Sequence, residues 1–477
     1  MSGKTLEVKD PKVPPKVGAN KKNGSALLAR PTTKNPVKVL PTEVHNTLSR
    51  HMLVDGFDLV VDLKRSQGSY LYDSRFNKRY LDFFTFFASG AVGLNHPKMT
   101  DPAFMEKLAY VSVNKPSNSD AYTVEMAEFV ETFARVAMPE YLPYVFFVDG
   151  GTLAVENALK TAFDWKVRKN FIRGYTEERG RQVIHFRRAF HGRSGYTLSL
   201  TNTDPTKTNY FPKFKWPRIH NPAIRHPLNE KNLDEVKKEE AVAIQQIKQA
   251  IINNPDDIAA LIIEPIQGEG GDNHFRKEFF QELKTVCDEN EILLVFDEVQ
   301  TGVGITGKMW AHQYFVEPDL VAFGKKTHIC GFMSSPRIDD VLENVFHKPS
   351  RINSTFGGNL TDMVRFARVL EIIEEEKLVE NARSVGEYLL RQLMKLEEEF
   401  PTVISNTRGR GLFCAMDIGT GQNRDQLRSK AYEEGLILIG CGDQSIRFRP
   451  PLNLKKSEVD EGVGIIRQAL KEIEAGE

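Results

Sequence analysis

The chain has 477 residues, enough for two or three domains that can each bury a core. Lys plus Arg and Asp plus Glu both number 64, so no global field draws the chain to nucleic acid or to a membrane surface. Cys287, Cys330, Cys414 and Cys441 lie far apart with no CxxC pair, which argues against a disulfide framework or a structural zinc site and for a reducing compartment.

Residues 1–40 carry many lysines among prolines and glycines with almost no periodic apolar pattern, and read as a disordered basic tail. The tail is not Arg-rich and amphipathic, no signal-peptide pattern opens the chain, and no apolar stretch is long enough to span a bilayer. A cytoplasmic protein is therefore expected. Residues 41–93 read as a mixed segment joining a smaller domain, with a helix over 45–53 and short strands over 70–72 and 80–83.

The large domain is predicted over 94–350. Beyond Tyr144 the texture is strand, loop and helix in repetition, as a doubly wound, mainly parallel α/β sheet requires. Strands are predicted at 144–148, 182–186 and 259–263. Val155, Leu159, Ala162 and Phe163, and later Phe279, Leu283, Val286 and Cys287, have the spacing of buried helix faces. Residues 351–477 read as a smaller α+β domain: one long charged helix or a pair over 361–400, a strand near 412–418, a helix over 424–434, then a last strand and helix flanking Pro450-Pro451.

Two apolar runs carry most of the chemistry. Ile292–Phe296 ends in Asp297, and Leu320–Phe323 ends in Gly324-Lys325-Lys326. Ligands of an open α/β sheet sit beyond the carboxyl ends of its strands, so both groups point into one crevice. A carboxylate that keeps a pyridine nitrogen protonated and an amine that forms an imine are what pyridoxal phosphate chemistry uses. Asp149-Gly150-Gly151-Thr152 joins a strand to a helix whose free N–H groups suit a phosphate, or forms an ordinary tight turn. Phe190-His191-Gly192-Arg193 sets an aromatic plate beside a cation. The run from Glu264 to Gly271 places carboxylates in a glycine loop at the same sheet edge, with a solvated loop as the plainer reading. Arg447-Phe448-Arg449 offers two cations, one of which could clamp a carboxylate, unless the segment is a surface strand.

In this order, from about Pro41 to the C-terminus, these motifs closely resemble class III (ω-amino acid) aminotransferases of the fold-type I pyridoxal phosphate family. Within the class, the runs 114–120, 191–197, 323–327 and 353–359 look most like the lysine 6-transaminase subgroup; Lys326, where many members have a small residue, is a departure shared with it. Arg408-Gly409-Arg410-Gly411 and Gly440-Cys441-Gly442-Asp443 are also similar to 4-aminobutyrate transaminases.

The resemblance implies roles residue by residue. Lys325, rather than Lys326, is the Schiff-base lysine; Asp297 pairs with the pyridinium nitrogen; Gln300 bonds the ring's phenolic oxygen; Phe190 stacks on the ring; Gly151 and Thr152 hold the phosphate. Thr355 resembles a residue that reaches the phosphate of the other subunit, so a homodimer with shared sites is implied. L-lysine and 2-oxoglutarate are the implied substrates. Arg193 binds the remote carboxylate of both, Arg447 binds the carboxylate beside the keto group, and Glu269 neutralises Arg447 when lysine is present. No metal, nucleic acid or membrane is expected. Alternatives are 4-aminobutyrate or ornithine as donor, and, remotely, a transcription regulator with an aminotransferase-like domain. Only about 40 residues without helical periodicity precede the family region, which leaves little room for a DNA-binding helix-turn-helix.

Overall fold

Every residue of the run Ile258–Ile263 is buried, and its side chains divide between two cores: Leu261 and Ile263 enter one, Ala260 and Ile262 the other. A strand that is apolar on both faces needs cover on both, which dictates a sheet between helices. The protein is described here by a computed structural model covering residues 37–475. The tail expected over 1–40 lies outside the described residues up to residue 36.

The chain divides into two compact units, Met1–Asp55 and Gly56–Glu477. The described part of the first has a helix at Val44–Ser49, shorter than the 45–53 expected. None of its residues is buried, so no core packing extends it.

In the second unit, β1 (Tyr70–Asp73) and β2 (Lys78–Asp82) form an antiparallel pair. The largest sheet contains β3 (Tyr144–Val148), β4 (Gln182–Phe186), β5 (Arg218–Ile219), β6 (Ile258–Ile263), β7 (Leu293–Asp297), β8 (Leu320–Phe323) and β9 (Cys330–Ser334), in the order β3-β9-β8-β7-β6-β4-β5. The five strands from β8 to β5 are mutually parallel. β9 runs antiparallel to both β8 and β3. No pattern in the sequence marked β9, nor that β3 is an edge strand beside it. The link from β8 to β9 is too short for a helical crossover, so the chain can only return antiparallel.

Helix Gly151–Ile172 covers one face of this sheet, with Val155, Leu159 and Ala162 buried. Helices Glu230–Asn253 and Lys277–Glu289 cover the other, through Ile244, Ile247, Phe279, Leu283, Val286 and Cys287. Burial of each side chain of this size contributes about 1.5–3 kcal/mol, so the two faces hold the strand ends that carry the site in fixed register.

The charged region 361–400 is a pair of helices, Leu360–Glu375 and Leu378–Glu399, separated at Lys377, whose φ is +51°. Beyond them lie β10 (Ile404–Arg410), β11 (Phe413–Ile418), helix Gly421–Glu433, β12 (Leu436–Ile437), β13 (Ile439–Cys441), β14 (Ser445–Phe448) and helix Lys456–Ala475. β10, β11, β14 and β13 make an antiparallel sheet, whereas β12 lies parallel to β2 and completes a sheet with the β1–β2 pair. All four cysteines are buried and unpaired. Among the described residues no helix is long and apolar enough to cross a membrane.

Candidate active site

β7 and β8 lie side by side with Asp297 opposite Ala322, so the end of one strand presents Asp297 next to the Gly324-Lys325 turn that ends the other. A cavity of about 210 Å³ opens there, lined by Gly151, Thr152, Phe190, Asp297, Gln300 and Lys325 among others. Larger cavities of about 550 and 660 Å³ lie elsewhere, and neither reaches the carboxyl ends of the parallel strands.

Asp297 is 5% exposed. Its Oδ1 accepts the Val299 N–H at 3.0 Å and its Oδ2 accepts from His191 Nδ1 at 2.8 Å. His191 is also buried, so the bond between the two side chains lies out of bulk solvent. The adjacent Glu298 points elsewhere: its carboxylate accepts the N–H groups of Ala311 and His312, the His312 ring and the Thr301 hydroxyl, a purely structural set.

At the other end of the cavity, helix Gly151–Ile172 starts after Gly150, which has φ +99° and supplies no side-chain cap. Its first N–H groups are therefore open to an anion, and the helix dipole adds a positive end. Gly192 closes this corner at φ +132°, where a Cβ would overlap Oγ1 of Thr152.

The two lysines diverge. Lys325 lines the cavity, and its backbone is left-handed at φ +57°, a conformation that costs a non-glycine residue on the order of 1 kcal/mol or more. Burial lowers the affinity of its amine for a proton, opposed by the charge of Asp297. Lys326 is buried outside the cavity and donates to the Gln300 carbonyl at 3.1 Å.

Both arginines near the C-terminus are buried, so the surface-strand reading does not hold. Arg449 is fully engaged: it contacts Asp272 and stacks 3.3 Å from the Phe413 centroid. Arg447 donates to Glu269 Oε2 at 2.9 Å and to Gln300 Oε1 at 3.2 Å, while its Nε lacks a partner. Gln300 Oε1 also accepts from Arg449 Nε at 3.1 Å. With its oxygen held by two guanidinium groups, the Gln300 amide turns its NH₂ outward as a donor. Burial raises the pKa of Glu269, but Arg447 and Lys207 outweigh it and hold the carboxyl below its usual value.

Arg193 follows Gly192, is exposed, and has no polar partner among the described residues. Thr355 is exposed and does not line the cavity. It belongs to the run 353–359, which is tied to the run 114–120: Ser117 Oγ donates to the Thr355 carbonyl, Ser119 Oγ to that of Ser354 at 2.7 Å, and Asn118 Nδ2 to that of Gly358 at 3.0 Å.

The family model "Aminotransferase class-III" matches residues 54–470. The chain belongs to the class III aminotransferase family. It is 53% identical over 447 residues to the L-lysine-epsilon aminotransferase of Mycobacterium tuberculosis, covering 93% of this chain and 97% of that protein. A solved structure of lysine aminotransferase from M. tuberculosis superposes with a TM-score of 0.89 at 53% identity, over 91% of this chain and 99% of the other. A 4-aminobutyrate aminotransferase of Saccharomyces cerevisiae is 32% identical, covering 87% of this chain and 90% of that protein.

The residues present fit the pyridoxal phosphate of a class III aminotransferase. A flat group, anionic at one end and cationic at its ring nitrogen, matches the open helix start at one end of the cavity and the buried Asp297 at the other. Phe190 provides an apolar wall and Lys325 an amine.

Several residues of this class III site were not assigned roles from sequence. His191 steadies Asp297, although it was visible inside a motif. Glu264 ends the apolar strand β6 much as Asp297 ends β7, and that pattern could have flagged it. It is buried, not solvated, and accepts the N–H groups of Phe190 and Gly268, each at 3.0 Å. Lys207, a partner of Glu269, gave no signal at all.

Proposed function

We propose that this class III aminotransferase uses pyridoxal phosphate to transfer the ε-amino group of L-lysine to 2-oxoglutarate, giving 2-aminoadipate 6-semialdehyde and glutamate. The names of its 53%-identical relatives support the donor. The observation that carries the reading is the contact between Arg447 and Glu269. Lysine brings no carboxylate next to its reacting carbon, and 2-oxoglutarate does. One pocket serves both if Arg447 is neutralised by Glu269 in one half-reaction and exposed in the other, since an unpaired buried guanidinium costs several kcal/mol, roughly.

When bound, the cofactor supplies an electrophilic carbon and an electron sink. Asp297, braced by His191, would keep the ring nitrogen protonated. Gln300 would donate to the phenolic oxygen, Phe190 would lie against the ring, and Gly151 and Thr152 would hold the phosphate. Lys325 Nζ would hold the cofactor and would be the base that takes a proton from the substrate carbon bearing nitrogen. Burial favours the neutral amine that this step uses. Arg193 is free to take the remote carboxylate of either substrate.

Thr355, exposed and outside its own cavity, is suited to reach the phosphate of a second subunit, so the active form is a homodimer. The unpaired cysteines suit the cytoplasm. A large domain over 94–350 and a smaller one over 351–477, joined by residues 41–93, are part of the same reading.

The decisive experiment adds L-lysine, 4-aminobutyrate or ornithine to the cofactor-loaded protein without acceptor and follows the visible absorbance band. Lysine is expected to discharge the band fastest. A faster reaction with 4-aminobutyrate would falsify the lysine assignment.

A further inference from the structure

Glu269 contacts two cations, of which only Arg447 belongs to the proposed switch. Its Oε2 accepts from Arg447 at 2.9 Å, and its Oε1 accepts from the ammonium of Lys207. Lys207 comes from a separate element, the single turn Pro205–Thr208 that Asp204 caps, and lies 5.9 Å from the centroid of the Phe190 ring. Its side chain is 28% exposed against 2% for Arg447, so the carboxylate sits between an outer and an inner cation. Asp204 also lies within ion-pair range, its Oδ2 4.0 Å from the ammonium, and is the more exposed of the two carboxylates.

We propose that Lys207 is the second anchor of Glu269, holding its carboxylate when a dicarboxylate substrate takes Arg447. The inference rests on the reading of Glu269 as the group that masks Arg447. While Glu269 spans both cations, each receives one oxygen and the two positive groups repel across it. Once Arg447 is occupied by a substrate carboxylate, Lys207 has both oxygens of Glu269 and the repulsion is relieved. Lys207 therefore stabilises the open arrangement more than the closed one. Without it, release from Arg447 would leave Glu269 a half-buried carboxylate with no cation, an arrangement desolvation disfavours. Lys207 is a positioning residue that acts through Glu269. A surface ion pair with no such role would affect the two half-reactions alike.

The test uses the cofactor-loaded enzyme and glutarate, a five-carbon dicarboxylate that cannot react. Calorimetry gives its dissociation constant, and single-turnover absorbance gives the rate with lysine. Lys207→Met should weaken glutarate by about fivefold, the scale of a partly exposed ion pair, and slow the lysine reaction by a clearly smaller factor. Lys207→Arg should restore glutarate binding. In a Glu269→Gln background, Lys207→Met should have no further effect on glutarate. Unchanged glutarate binding in Lys207→Met, equal damage to the lysine reaction, or a full loss persisting in the Glu269→Gln background would each overturn the anchor. Failure of the underlying reading looks different: the parent would not react with lysine, or Arg447→Ala would leave glutarate binding intact.

Discussion

The Oδ2 of Asp297 lies 2.8 Å from Nδ1 of His191, and both side chains are buried at the ends of strands or loops fixed by two hydrophobic faces. Among the described residues no lysine or arginine is bonded to this carboxylate, which leaves its charge available to a ring nitrogen. Asp297→Asn keeps the shape and removes the charge. The expected loss in kcat/KM corresponds to about 3 kcal/mol, the scale of one preorganised electrostatic contact. Steady-state kinetics within a few-fold of the parent would show that Asp297 does not support the ring.

Lys325 and Lys326 are adjacent in sequence and opposite in placement. Lys325→Ala should reduce transamination by about a thousandfold or more, because one amine both anchors the cofactor and moves the proton. Lys326→Ala removes only a donor to the Gln300 carbonyl and should chiefly lower thermal stability. Turnover and melting measured on both variants decide the matter; near-normal turnover in Lys325→Ala would reverse the assignment.

The two carboxylate sites separate the half-reactions. Glu269→Ala should slow the lysine half by on the order of tenfold and largely spare the 2-oxoglutarate half, since it leaves Arg447 uncovered only where no substrate carboxylate replaces Glu269. Arg193→Ala should impair both halves by at least about tenfold, the worth of a charged hydrogen bond. Stopped-flow traces of each half with each variant give the pattern, and equal damage from Glu269→Ala would remove the switch.

Glu264 makes a pH-dependent prediction. Burial pushes its carboxyl up to about 7 from an ordinary 4.5. Below pH 4.5 the group is protonated whether the chain is folded or not. Between 4.5 and 7 the unfolded chain ionises it first, so stability is lost as pH rises through that window. Cofactor-free parent should therefore lose on the order of 3 kcal/mol relative to Glu264→Gln between pH 4.5 and 7, read from unfolding midpoints at each pH. A constant difference across the window would mean that Glu264 is ionised throughout.

The sequence by itself determined the strand ends and what they carry. Apolar runs such as Leu293–Phe296 and Leu320–Phe323 can only be buried, and a carboxylate or amine directly after one must emerge at the sheet edge. The helix faces were legible for the same reason, since burial imposes a period that the side chains must follow. What the sequence did not show is pairing across distance. β9, the edge position of β3, the brace of His191 on Asp297, and Lys207 on Glu269 all depend on contacts between segments tens to hundreds of residues apart. Polar partners have no periodicity to reveal them, because a hydrogen bond needs one atom in reach and not a repeating face. Only the tertiary structure, by bringing the loops that follow β6 and β7 to the end of β14, decides which of the many charged residues meet.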